Sequence, residues 1–68
     1  MMEFNEIVSN YYGKRVEVID IDDAEFVGLF SQYEYSTDNE EDQDIIMLSI
    51  ANYYIEIPYD EIKSIKLA

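Results

Sequence analysis

The sequence predicts a mainly β fold, in which a short N-terminal α-helix precedes five short strands that bend into a small barrel. Three observations carry this prediction. Apolar residues recur every 3.6 positions up to Gly13 and every second position after it. Turn-forming residues then divide the chain into short segments. Finally, a lone glycine, Gly28, sits among Phe26, Val27, Leu29 and Phe30, inside a stretch that otherwise favours extended structure.

Residues 2–12 read as the helix. Phe4, Ile7, Val8 and Tyr11 form one apolar stripe at i, i+3, i+4 and i+7. Glu3 and Glu6 lie in the first turns, where negative charge complements the helix dipole. Gly13 follows the last periodic residue and can take the left-handed conformation that closes a helix. A helix this short is marginal in isolation, so it must dock on the strands.

From Lys14 the period is two, with Val16 and Val18 on one face and Arg15 and Glu17 on the other. Asp20 breaks that phase, which predicts a bulge or a strand end, and Asp22 and Asp23 suit a tight turn. A second strand from Glu25 to about Tyr35 places Phe26, Gly28 and Phe30 on one face. With no side chain between the two phenylalanines, the strand can bend sharply or admit another backbone at Gly28. Residues 36–44, STDNEEDQD, contain no apolar residue and form an acidic loop. A third strand, Ile45 to Ala51, turns near Asn52 into a fourth, Tyr53 to Ile57. Pro58 ends the fourth strand, because it has no N–H to donate to a ladder. Tyr59 to Glu61 make a helical turn, and Ile62 to Leu67 a final strand. Residues 1–68 are expected to form one domain, without repeat or linker.

Composition bounds the function. A chain of 68 residues buries a limited core. Cysteine and histidine are absent, which removes disulfides, thiolate metal sites and the commonest general base, and fits a reducing cytoplasm. The first residues, MMEFNEIVSNYY, carry no basic segment or long apolar run, so no signal peptide is expected there. The aliphatic run Ile45 to Leu48 is too short to span a bilayer. Sixteen acidic residues against four basic ones give a net charge of −12, which repels polyanions and favours cations or basic partners. Hydrophobic residues still make up 49% of the chain, too many for a disordered acidic tail.

Gly13, Val16, Val18, Asp23, Phe26, Gly28, Phe30 and Tyr33–Glu34 follow the spacing of a known motif, G-x-x-V-x-V-x-x-x-D-G-x-x-aromatic-x-G-x-L-x-x-aromatic-D. With one helix and five strands around it, the chain resembles the Sm and Sm-like family of small β-barrels over nearly its whole length. IPYDEIKSI, residues 57–65, resembles the proline-containing turn that joins the last two strands of SH3-like barrels. The resemblance implies an SH3-like or Sm-like barrel, RNA binding, and rings made by pairing the fourth strand of one subunit with the fifth of the next. Five departures qualify it. Asp20 replaces an apolar residue, Asp23 the turn glycine, and Glu34 the aspartate. Asn39 lies too early for the RNA-contacting asparagine, and the family's second motif, an apolar residue followed by Arg-Gly, is absent.

Sites of chemistry are scarce. The loop carboxylates Asp38, Glu40, Glu41, Asp42 and Asp44 lack the glycine and late glutamate of an EF-hand, so a solvated loop is expected rather than a calcium site. Asp20, Asp22, Asp23 and Glu25 form a second acidic cluster beside a turn. The hydroxyls of Ser9, Ser31, Ser36, Ser49, Ser64 and Thr37 have no histidine to activate them. No catalytic residue, cofactor or metal is expected. Among the tyrosines, Tyr53 shares the phase of Ile55 and Ile57 and is expected in the core, with Tyr54 and Glu56 opposite. Tyr33 and Tyr35 have the phase opposite to Phe26 and Phe30 and are expected to be exposed near the acidic loop.

The leading expectation is therefore a non-enzymatic, acidic domain that contacts a protein partner, or itself, through edge strands, with Tyr33, Tyr35, Tyr54, Glu56, Lys63 and Lys66 as its interaction surface. Gly13, Gly28 and Pro58 are assigned structural roles. An RNA-binding alternative requires Lys14, Arg15, Lys63 and Lys66 on one face. An acidic decoy for a basic partner requires regularly spaced carboxylates. A nucleic-acid or membrane partner is not expected.

Overall fold

The computed structural model describes residues 2–38, 40 and 42–68. It contains α1 (Phe4–Tyr11), β1 (Arg15–Asp20), β2 (Glu25–Glu34), β3 (Ile45–Ile50), β4 (Tyr53–Pro58) and β5 (Ile62–Leu67). Single 3-10 turns occupy Ser36–Asp38 and Tyr59–Glu61. All five strands pair antiparallel in one sheet, ordered β4-β3-β2-β1-β5. The expected barrel is thus a bent but open sheet, with β4 and β5 as its edges.

The helix forms as its pattern dictates. The Glu3 N–H donates to the Glu6 carboxylate at 3.3 Å, satisfying one donor at the N-terminus. Phe4 and Ile7 are buried, and Val8 and Tyr11 pack against the core at its margin. Gly13 takes φ +84° as expected, and its N–H donates to the Phe30 carbonyl at 2.9 Å, tying the helix end to β2. The core between helix and sheet gathers Val16, Val18, Phe30, Ile46, Leu48, Ile57 and Ile62.

Two irregularities bend the sheet. The first lies between Ile19 and Asp20, where the register to β5 shifts, as the broken phase predicts. The Asp20 carboxylate accepts the Asp22 and Ala24 N–H groups, both at 2.9 Å, and Asp23 takes φ +66°. The aspartate at this unusual position therefore braces the turn through its own side chain. The second irregularity lies in β2, between Phe30 and Gln32, where the register to β3 shifts. It reverses the inward phase, so Tyr33 pairs with Ile46 and packs against the core. The expectation of an exposed Tyr33 is corrected for that reason.

Gly28 lies on the inward phase between Phe26 and Phe30, and the end of β3, paired with β2 from Leu29↔Ser49 onward, comes close to it. An added Cβ would lie 2.5 Å from the Ser49 carbonyl oxygen and 2.8 Å from Ile50 Cγ1. The glycine is needed for this close backbone approach.

A further correction concerns Tyr53, which is 56% exposed rather than in the core. It has the inward phase, opposite Ile50, but it stands next to the two-residue turn at Ala51–Asn52, beyond the end of the packed interior. Ala51 in that turn takes φ +54°. Left-handed backbone costs an L-residue roughly 1–2 kcal/mol, and the greater unfolded freedom of glycine offsets about 0.4–1 kcal/mol. We predict that Ala51→Gly stabilises the domain by roughly 0.5–1 kcal/mol. Urea unfolding should show a higher midpoint at unchanged slope; an unchanged or lower midpoint would contradict the assigned strain.

Candidate interaction surface

Hydrogen-bond alternation defines what the two edge strands offer. The residues flanking a two-residue hairpin exchange both hydrogen bonds, and bonded pairs then alternate along the ladder. Ile50↔Tyr53 closes the turn, so Tyr53, Ile55 and Ile57 bond to β3, and the Tyr59 N–H continues that phase to the Asp44 carbonyl at 2.8 Å. The backbone groups of Tyr54 and Glu56 consequently face the open edge. On β5 the Ala68 N–H donates to the Arg15 carbonyl at 3.1 Å, and the paired register places Lys66 and Ser64 in the same inward-bonding phase. Ile65 and Leu67 therefore present their backbone groups outward.

The two edges differ in charge. Tyr54 is 67% exposed on β4, beside Glu56. Lys63 and Lys66 are exposed on β5, beside Leu67, which is 57% exposed. Both lysines already have partners within the chain: Lys63 pairs with Asp23, and Lys66 reaches Glu17 at 3.3 Å. Lys14 donates to the Asn10 carbonyl at 3.0 Å. Three of the four cations are thus held by the chain's own acceptors.

Beside β4, in the opening of the sheet, Phe26, Ile55, Ile57 and Pro58 floor a cleft of about 230 Å³ with Asp20, Glu56 and Glu61 around it. On the outer face, the Ser31 and Ser49 hydroxyls hydrogen-bond each other at 2.8 Å, bridging β2 and β3 at the second irregularity. Ser36 N–H donates to the Asp44 carboxylate at 2.8 Å, fixing the two ends of the acidic loop together. Asn39 and Glu41 of that loop lie outside the described residues, as does the side chain of Asp38. Among the described residues, no group of three or more carboxylates is arranged to hold a metal ion.

The six expected surface residues do not form one patch on a single copy. Tyr54 and Glu56 lie on one sheet edge, Lys63 and Lys66 on the other, and Tyr33 and Tyr35 at the end of central β2. Sequence reasoning missed Tyr12, which is exposed beside Tyr33, and Val27 and Leu29, which are exposed on the outer face. The phase opposite to Phe26 and Phe30 already marks Val27 and Leu29. Tyr12 falls at i+8 from Phe4, at the margin of the helical stripe, but its ring contact with Tyr33 depends on tertiary pairing.

No protein-family model matches the chain, and neither a curated protein nor a solved structure matches it. Among the described residues, no helix is long and apolar enough to cross a membrane.

Proposed function

We propose that this chain is a non-enzymatic, Sm-like interaction module of the reducing cytoplasm that assembles with copies of itself, β4 of one copy pairing with β5 of the next. One observation carries the reading: a single sheet ends in two unpaired edges of differing charge, Tyr54 and Glu56 on one and Lys63 and Lys66 on the other. Such a head-to-tail contact joins different surfaces of the two copies and closes into a ring where the rotation permits. The lysines beside the β5 edge also bring positive charge towards the neighbour's Glu56. The absence of cysteine and histidine supports a role without thiol or imidazole chemistry. Four cations against sixteen carboxylates can neutralise few phosphates, which favours a protein partner over a polyanion.

Each copy brings a charge of −12, so self-repulsion opposes assembly and salt screens it. Sedimentation velocity should therefore show larger species as protein concentration rises, with the shift increased by added salt. Tyr54→Pro tests the edge directly, since proline removes an outward-facing N–H while leaving the ladder to β3 intact. This variant should stay monomeric and folded. A wild-type monomer at high concentration in both low and high salt would sink the proposal. Assembly that requires added single-stranded RNA would instead favour the nucleic-acid reading.

A further inference from the structure

Three tyrosines from two separate segments meet at the end of β2. The Tyr12 and Tyr33 ring centroids lie 5.0 Å apart at an interplanar angle of 89°. Tyr33 and Tyr35 lie 5.6 Å apart at 82°. Together with Gln32 and Glu34 these rings line an open concavity of about 440 Å³. Tyr12 is 49% exposed and Tyr35 38% exposed, so both combine solvent access with a fixed setting. Each ring also stands edge-to-face with a phenylalanine: Phe30 meets Tyr12 at 5.5 Å and Tyr33 at 6.3 Å, and Phe4 meets Tyr35 at 5.8 Å.

We propose that this concavity binds an alkylated ammonium group, held against the tyrosine rings with Glu34 as its counter-charge. Aromatic faces carry negative potential and attract cations, most effectively where several rings converge and exclude water. A trimethylammonium group has no N–H to satisfy and spreads its charge over apolar methyls, so it suits walls of rings better than a hydrated ammonium does. No lysine or arginine lines the concavity. The chain's charge of −12 also raises the local concentration of any cation. Bracing by Phe4 and Phe30 lowers the ordering cost of binding, because the walls need little rearrangement. The site is separate from the β4 and β5 edges, so it stands or falls independently of self-assembly.

The same chemistry occurs on a free small molecule and on a trimethylated lysine of a protein, and the two are tested side by side. Protein carrying carbon-13 in its tyrosine rings is titrated with choline, with a short trimethyl-lysine peptide, and with 3,3-dimethylbutan-1-ol, the neutral isostere of choline. Ionic strength is held constant. Saturable shifts of the Tyr12, Tyr33 and Tyr35 ring signals are expected with choline or the peptide, and the tighter of the two identifies the source. The neutral isostere should bind about tenfold more weakly or not at all. Tyr12→Phe should retain binding and Tyr12→Leu lose it. Glu34→Gln, which leaves every ring in place, should weaken it severalfold. Equal binding of the neutral isostere, or the absence of saturable shifts with both cations, would overturn the proposal.

Discussion

Gly28→Val is expected to destabilise the domain by more than 2 kcal/mol, through overpacking at a fixed backbone contact. The Cβ alone would stand 2.5 Å from the Ser49 carbonyl oxygen, far inside van der Waals contact. That oxygen belongs to β3 and cannot swing aside as the end of a flexible side chain could. Relief requires β3 to withdraw, which disturbs the adjacent Leu29↔Ser49 pair and the Ser31–Ser49 hydroxyl bond. Gly28→Ala should therefore already cost about 1–3 kcal/mol. Gly13→Ala is an informative contrast, because an added Cβ there meets nothing within 4 Å and only the φ of +84° opposes it. Its net cost should be about 0.5–1 kcal/mol, the left-handed backbone penalty less the unfolded-state freedom that alanine lacks relative to glycine. Thermal and urea unfolding of the three variants would decide the matter. A Gly28→Val protein with wild-type stability would refute the close approach.

The largest loss is expected from Phe30→Ala. Phe30 is fully buried, and its ring stands edge-to-face with both Tyr12 and Tyr33. Its backbone N–H donates to the Lys14 carbonyl and its carbonyl accepts from Gly13, both at 2.9 Å, so it joins the helix end to the sheet. Truncating a buried phenylalanine costs about 3–5 kcal/mol, the lost burial adding to the cavity left behind. Native domains hold only roughly 0.05–0.15 kcal/mol per residue, so in a chain of 68 residues this change removes much of the total stability. Phe30→Leu, which keeps most of the apolar volume, should cost distinctly less. Circular dichroism during urea titration measures both. A loss below about 1 kcal/mol for Phe30→Ala would show that the residue is not the central brace inferred from its burial.

Much of the architecture was legible in the sequence because it depends on local periodicity and on residues with special backbone requirements. The stripe Phe4, Ile7, Val8 and Tyr11, followed by Gly13, placed the helix and its end. The broken phase at Asp20 marked the first irregularity, and Ile62–Leu67 matched the last strand. Gly28 marked either a sharp bend or a close backbone approach, and the structure shows the approach, from Ser49 of β3.

Only the tertiary structure decided the rest, because it depends on how distant segments pair. The register shift between Phe30 and Gln32 is a property of the β2–β3 ladder, and nothing in the alternation of β2 alone announces it. That shift turned Tyr33 inward and so brought it beneath Tyr12, from the far end of the helix. Tyr53 carried the apolar phase but fell beyond the packed interior, since a period of two tells which way a side chain points and not whether anything covers it. The open edges at β4 and β5 likewise follow from strand order, which is set by contacts far apart along the chain. Sequence by itself therefore determined the elements and the constraint at Gly28. The pairing of those elements determined which side chains meet, and with them both candidate surfaces.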